Sequence, residues 1–132
     1  MKLNEYDNDN DNSLVYYLDV KGIDFLFTGD ISSEAERDLV RRYGPLNIDI
    51  LKVSHHGSKT ATSPFFVSSV LPKIAVISTS GMYDHPSKEV LETLNRYMVR
   101  IFSTKESSTV TVYFTGLFSF VKTGKNEFVI IS

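Results

Sequence analysis

Apolar residues occur along this chain in two patterns, short continuous runs and segments in which they recur every three or four positions. The continuous runs are rich in branched and aromatic residues and stop at glycine, proline or polar residues, which is typical of buried strands. Lys21-Gly22 separates the first two runs and predicts a β-hairpin. The predicted strands are 14–20, 23–27, 48–53, 74–78, 100–103, 109–114, 117–121 and 128–131.

Helix signals lie between these strands. Ser33 and Glu36 form a capping box that predicts a helix running to Gly44-Pro45. Ser63-Pro64 predicts the start of a short second helix, and His85-Pro86 the start of a third. The order β, β, α, β, α, β, α, β indicates an α/β fold in which helices flank a mixed sheet. We expect the last three strands to finish that sheet as antiparallel strands.

The composition is that of a folded domain or a piece of one. The chain has 132 residues, of which 42% are hydrophobic, and no repeat or low-complexity linker divides it. We therefore predict a single domain or a partial domain over residues 1–132. Nearly every residue from 4 to 12 is Asn, Asp or Glu, which predicts an exposed acidic loop over residues 1–11. A calcium loop is the weaker alternative, because the central glycine and the final glutamate are missing.

Charge and cysteine content narrow the chemistry. The net charge is −2 and the longest basic run is Arg41-Arg42, so the overall charge does not indicate a nucleic-acid-binding protein. Because cysteine is absent, histidine and carboxylate side chains are the strong metal ligands that remain. No apolar run approaches the roughly 20 residues that span a bilayer, and the N-terminus is polar, so we expect a soluble chain without a signal peptide.

A carboxylate follows the second predicted strand directly. In Thr28-Gly29-Asp30 the glycine allows a sharp turn and leaves Asp30 projecting from the strand end, where it could ligate one metal ion or bridge two. Strand ends of this kind line the functional crevice of open α/β sheets. The alternative is an aspartate near the start of the next helix, stabilised by the helix dipole.

The third predicted strand ends in two adjacent histidines, His55 and His56, followed by Gly57-Ser58. Neutral imidazole is a common ligand for ions of the zinc and manganese class. Adjacent residues of an extended backbone point in opposite directions, so we expect one histidine to be a ligand and the other to support or pack. The alternative is a structural pair whose rings hydrogen-bond to backbone carbonyls.

Two further residues could contact an anion. His85 precedes the third predicted helix, where backbone amides and the helix dipole favour a group such as phosphate. The alternative is a simple cap or turn residue. Lys59 lies in a loop of serines and threonines and could neutralise a phosphate, although an exposed lysine of this kind is more often only solvated.

Taken in order, these segments resemble a known family. Phe27-Thr28-Gly29-Asp30, then the block 51–60 around His55-His56-Gly57, then His85-Pro86 resemble the C-terminal half of the metallo-β-lactamase-like domain of ComEC-type competence proteins. The resemblance covers residues 12–112. It implies half of a four-layer αββα sandwich that is attached to a bacterial membrane channel for DNA uptake. It also implies a metal-dependent nuclease acting on the strand that is not imported.

Carried over by position, the resemblance implies a role for each candidate residue. Asp30 would be the bridging metal ligand and His55 or His56 a late histidine ligand, with zinc or manganese as the divalent metal. His85 would contact phosphate or transfer a proton. The substrate, single-stranded or double-stranded DNA, would meet two residues of one loop, Ser58 and Lys59.

The chain also departs from the family. The His-x-His-x-Asp-His cluster that supplies most metal ligands is absent, and the fold is expected to need roughly 200 residues. We therefore predict a fragment of a hydrolase whose isolated chain binds metal weakly, if at all, and turns over little. Its expected partners are the missing N-terminal half and a second copy, which would cover the face of strands 110–121 that the chain's own helices leave exposed. The membrane would be reached only through the parent protein. The alternatives are a non-catalytic scaffold or partner-binding remnant, and a small-molecule hydrolase on the same fold.

Overall fold

Five strands form a mixed sheet in which spatial order follows chain order. The computed structural model describes residues 6–131, and its larger sheet has the order β1-β2-β3-β4-β5. The strands are β1 Tyr16–Val20, β2 Ile23–Phe27, β3 Ile50–Lys52, β4 Ile74–Ile77 and β5 Arg100–Ser103. β1 and β2 form the predicted antiparallel hairpin, and β2 to β5 are parallel neighbours joined by helical crossovers.

Three helices cover one face of this sheet. They are α1 Ser33–Tyr43, α2 Pro64–Val70 and α3 Lys88–Arg96. The core between helices and sheet is built from fully buried side chains, among them Leu39, Phe66 and Leu94 of the helices and Leu51 and Ile77 of the strands. The α/β class, with a mixed sheet and flanking helices, is the one that the sequence predicts. Among the described residues, no helix combines the length and the apolar character needed to cross a membrane.

A second sheet covers the opposite face, which corrects one of our expectations. Its strands are β6 Val110–Phe114, β7 Ser119–Thr123 and β8 Phe128–Ile130, joined as an antiparallel meander. They do not finish the first sheet, because the short helix α4 Thr104–Ser107 follows β5 directly and ends it. Val121 of β7 and its neighbours pack on Ile50, Ile74 and Phe102. The inner face of β6–β8 is therefore covered by the mixed sheet, not by helices as predicted, and the layer order α, β, β is that of a half-sandwich.

Two predicted helix starts are also corrected. The cap of α1 is Ser32, whose hydroxyl oxygen accepts a backbone N–H of the first turn, and not Ser33. Glu36 does not complete a capping box, because its side chain is buried in the interior. α3 is capped by Ser87, so His85-Pro86 forms the turn before the helix rather than its first residues.

The acidic N-terminal segment is tied to the start of α1. Residues 1–5 of the predicted loop lie outside the described residues, and residues 7–10 are exposed. Asp11, in contrast, is buried, and its carboxylate accepts hydrogen bonds from the backbone N–H and the hydroxyl of Ser32, at 2.5 and 2.8 Å. The hydroxyl oxygen of Ser13 in turn accepts the backbone N–H of Asp30 at 3.3 Å. This segment therefore packs against the turn that carries a candidate site residue.

Candidate functional site

The ends of β2 and β3 place two polar turns side by side at one edge of the mixed sheet. The strands pair in parallel up to their last residues, so Thr28-Gly29-Asp30 and the 3-10 turn Ser54–Gly57 leave the sheet together. The backbone N–H of His55 donates to the carbonyl oxygen of Gly29 at 3.0 Å and joins the two turns. The carboxyl ends of parallel strands are where α/β sheets usually bind their ligands.

Asp30 and His56 face each other across this edge. Nε2 of His56 lies 3.9 Å from Oδ1 of Asp30, and the two side chains are 50% and 41% exposed. Nδ1 of His56 lies 2.6 Å from the carbonyl oxygen of Ser78. Because a carbonyl oxygen can only accept, Nδ1 carries the proton, and in the neutral ring Nε2 presents a lone pair. Two electron-pair donors therefore converge on one small space.

His55 turns away from this pair. Both histidines have positive φ, 47° and 55°, so they follow the strand in a left-handed turn and not in the extended backbone that we predicted. Such angles are uncommon outside glycine and are often found at functional sites. The ring of His55 lies against that of His85, with centroids 5.9 Å apart and planes nearly perpendicular at 73°. The histidine pair is thus divided between Asp30 and His85.

The three remaining candidate residues line one cavity. Ser58, Lys59 and His85 border a space of about 340 Å³. His85 also borders a second space of about 360 Å³, which includes His56. The hydroxyl of Ser58 is buried and lies 3.0 Å from that of Thr60, so it holds the loop, whereas Lys59 is exposed. The substrate and proton-transfer roles of these residues stay predictions.

Gly57 fixes the histidine turn on the segment that carries His85. Its φ is +83°, and a Cβ at this position would lie 2.6 Å from Cβ of Pro86 and 2.9 Å from its Cα. The backbone N–H of Ser87 also donates to the carbonyl oxygen of Gly57 at 2.8 Å. A side chain at this position would therefore both strain the backbone and push the two segments apart.

We expect Gly57→Ala to lower the free energy of unfolding by about 2–3 kcal/mol, because it combines a left-handed backbone with a clash against Pro86. The matched control is Gly22→Ala, at φ +79° with nothing within 4 Å, for which about 1 kcal/mol is expected. Urea unfolding of the two variants measures both values. Equal losses would show that Pro86 yields to the added methyl group.

Two charged residues near this edge were not among the predicted site residues. Burial lowers the pKa of the Lys52 ammonium at the end of β3, an effect that the Asp30 carboxylate opposes. Glu36 of α1 is fully buried, and burial raises its pKa to about 7 although several hydrogen bonds act against that rise. Glu36 lies three residues before Leu39, on the buried face of the helix, and this spacing is the signal that could have revealed it. Lys52 had no comparable signal.

Two side chains that could bind a metal ion, Asp30 and His56, meet at this edge. Among residues 6–131, no three histidine, aspartate or glutamate side chains come together as a group that could hold a metal ion. Asp30 and His56 would therefore supply two of the four ligands that zinc usually takes. The structure favours His56 over His55 as the partner of Asp30, a choice that the sequence left open.

The fold and this edge define the class of the protein: an α/β half-sandwich with an aspartate and a histidine at the carboxyl ends of neighbouring parallel strands. No protein-family model matches the chain. It is 35% identical over 103 residues to ComE operon protein 3 of Bacillus subtilis and 38% identical over 108 residues to Recombination protein 2 of Haemophilus influenzae. It is 33% identical over 99 residues to Competence protein ComA of Neisseria gonorrhoeae.

These alignments cover 76%, 80% and 73% of this chain but only 13%, 14% and 14% of the three relatives. The chain is therefore homologous to a segment of much longer bacterial competence proteins. The predicted relation to competence proteins is confirmed. The metallo-β-lactamase-like domain that the resemblance implied stays a prediction.

Proposed function

We propose that this chain carries part of the metal centre of a nuclease-like phosphodiester hydrolase that acts on DNA during uptake in competence. The observation that supports it is the convergence of Asp30 and His56 at the ends of two parallel strands, 3.9 Å apart, with the imidazole ring fixed by Ser78. Homology to competence proteins supports DNA as the substrate class.

The pair fits a divalent ion. Zinc lies about 2.0–2.2 Å from histidine nitrogen and carboxylate oxygen, which places two ligand atoms of a tetrahedral site about 3.4 Å apart. The two exposed side chains, now 3.9 Å apart, would close by about 0.5 Å to hold one ion. The carbonyl of Ser78 holds Nδ1–H of His56, the kind of outer hydrogen bond that orients metal-binding histidines. Such an ion would supply a water of lowered pKa as the nucleophile. Asp30 and His56 would hold it, together with ligands from beyond residues 6–131.

The phosphate of the substrate would lie in the cavity that Ser58, Lys59 and His85 line. Lys59 would supply a positive charge, and Ser58 would hold the loop that carries it. His85, at the shared border of the two cavities, would contact the phosphate or move a proton to the leaving oxygen. These roles depend on a bound DNA strand that passes over the edge of β2 and β3.

A strip of exposed apolar side chains on β1 supports the proposal that another part of the parent protein packs against this chain. All five residues of β1 are exposed, and Tyr16, Leu18 and Val20 lie in register with Phe27, Phe25 and Ile23 of β2. The ring of Phe114 in β6 reaches Phe25, at 6.2 Å between centroids, but Tyr16 and Leu18 remain 51% and 47% exposed. A further part of a longer protein, the predicted N-terminal half, would cover this strip and bring more ligands. In this proposal, any membrane attachment belongs to the rest of the parent protein.

We expect the chain to bind zinc or manganese weakly, with a dissociation constant in the micromolar range or above, because two ligands leave the ion open. Asp30→Asn and His56→Ala should each abolish this binding in calorimetry. Asp19→Asn, an exposed carboxylate on β1, is the control and should leave the affinity unchanged. Sub-micromolar affinity with robust DNA cleavage by the isolated chain would contradict the expectation.

The second candidate is a non-catalytic scaffold or partner-binding remnant. One observation favours it: among the described residues, only two side chains that could bind a metal ion, Asp30 and His56, meet at the site. The coding region upstream of this chain distinguishes the two candidates. A His-x-His-x-Asp-His segment there favours the hydrolase, and its absence favours the scaffold.

A further inference from the structure

Glu36 is a charged residue at the centre of the protein that the proposed chemistry does not use. It lies in the first turn of α1 and has no exposed surface. Charged side chains are rarely buried in this way unless hydrogen bonds compensate for the lost water. The partners of its carboxylate therefore indicate what it does.

Those partners belong to the site and to the loop beside it. The Glu36 carboxylate accepts the backbone N–H of Thr62 at 2.5 Å and that of Ser63 at 3.2 Å. The hydroxyl of Ser54 shares its one proton between the hydroxyl oxygen of Thr28, at 2.6 Å, and Oε1 of Glu36, at 3.4 Å. The Thr28 hydroxyl donates onward to the carbonyl oxygen of Lys52 at 2.9 Å. One side chain thus joins α1 to the ends of β2 and β3 and to the loop before α2.

The sequence positions of these partners matter. Thr28 lies two residues before Asp30, and Ser54 lies two residues before His56. The carboxylate therefore reaches both halves of the metal-binding pair through one hydroxyl chain. From each hydroxyl-bearing residue to the member of the pair, the path is two residues of backbone.

The loop before α2 depends on the same carboxylate. Thr62 has a φ of +54°, a left-handed angle that is a genuine outlier for a β-branched residue. Its hydroxyl is buried with no hydrogen-bond partner among the described residues. The hydrogen bond from the backbone N–H of Thr62 to Glu36 compensates for this conformation. Thr62 lies at the end of the loop that carries Ser58 and Lys59.

We infer that Glu36 is a positioning residue, which holds Asp30 and His56 in register with the loop of Ser58 and Lys59. The effect of Glu36 on metal binding rests on the proposed function, because it concerns the same pair, Asp30 and His56. Among the described residues, the hydrogen-bond partners of the Glu36 carboxylate are the hydroxyl of Ser54 and the backbone N–H groups of Thr62 and Ser63. Its link to the site is therefore made by hydrogen bonds.

The test compares Glu36→Gln with the wild-type chain in the metal-free state, by backbone amide chemical shifts. Glutamine keeps the shape but turns an NH₂ group or a weaker acceptor toward two N–H donors. We expect shifts at Asp30, at His56 and at Thr62, three places that are far apart in sequence. Shifts confined to α1 would overturn the inference. Because no metal is present, this result is independent of whether the proposed metal site exists.

Ser54→Ala is the second variant, and it keeps the inference testable if Glu36→Gln does not fold. It removes the link between Glu36 and Thr28 but leaves the bonds to the loop. We expect shifts at Asp30 and His56 without shifts at Ser63. Shifts at Ser63 and none at Asp30 would contradict the hydroxyl chain.

Zinc titration measures the consequence for the site. We expect Glu36→Gln to weaken zinc binding about 10–100-fold, the usual effect of losing a group that orients metal ligands. Leu39→Ala, on the same buried face of α1, is the control: it should lower Tm without changing zinc affinity in the folded chain. Equal affinities of Glu36→Gln and wild type would overturn the inference, whereas failure of the wild type to bind zinc at Asp30 would count against the proposed function alone.

Discussion

Replacing Glu36 by glutamine should remove a pH dependence of about 3 kcal/mol in the free energy of unfolding. Burial raises the pKa of Glu36 to about 7 in the folded chain, from 4.5 when it is exposed. The folded state thus holds the proton more tightly than the unfolded state does. Its contribution to stability is fully present below pH 4.5 and is lost as the pH rises through about 7. One pKa unit corresponds to about 1.4 kcal/mol, so the difference between a pKa of 4.5 and one of about 7 corresponds to about 3 kcal/mol of stability.

The measurement is urea unfolding of both chains at a series of pH values across this range. The other titratable groups are common to both chains, so their contributions cancel in the difference. Glu34→Gln, at an exposed position of the same helix, should keep the wild-type slope. Parallel curves for wild type and Glu36→Gln would mean that water or a local rearrangement solvates the buried carboxylate.

The strands and helices of the mixed sheet could be predicted because their patterns are local. The run from Ile23 to Phe27 and the pair Ser63-Pro64 each fix an element without help from distant residues. The strand over 48–53 proved shorter, Ile50–Lys52, since the number of residues that find a partner depends on the neighbouring strands. Local pattern thus predicts that an element exists better than it predicts where it ends.

The second sheet could not be predicted in the same way. Alternation in Val110–Phe114 specifies a strand with one apolar face, but it does not specify which surface that face will meet. Joining the first sheet at its edge and packing on its inner face both bury the same side chains. The choice depends on the short helix at Thr104–Ser107, for which the sequence carries little signal.

The site shows the same division. The sequence predicted that Asp30 and a histidine would lie at one edge of the sheet, because each directly follows a strand and parallel strands end at one edge. It did not predict which histidine faces Asp30. That choice depends on left-handed angles in the turn and on the distant carbonyl of Ser78. Residues that act through tertiary hydrogen bonds, such as Glu36, have no motif of their own.

The chain should self-associate through the outer face of β6–β8. This face carries a row of aromatic rings across the three strands: Tyr113 and Phe120 lie 4.9 Å apart between centroids, and Phe120 and Phe128 lie 4.7 Å apart. Tyr113, Phe128 and Ile130 remain 44%, 52% and 60% exposed. Contiguous apolar patches above a few hundred Å² are seldom left in water on a monomer. A two-fold dimer that places this face against itself would cover it.

We expect light scattering at micromolar concentration to give the mass of a dimer, and Phe128→Glu to give that of a monomer. The carboxylate would be buried against a second apolar face, which is unfavourable without a partner for its charge. Phe65→Glu is the matched control, because Phe65 is 49% exposed on α2, which packs on the opposite face of the mixed sheet, and it should leave the dimer intact. A wild-type monomer that binds no hydrophobic dye would contradict the prediction. It would show that the rings of this face shield one another from water within a single chain. The exposed strip on β1 would then be the surface on which a fragment needs its missing half.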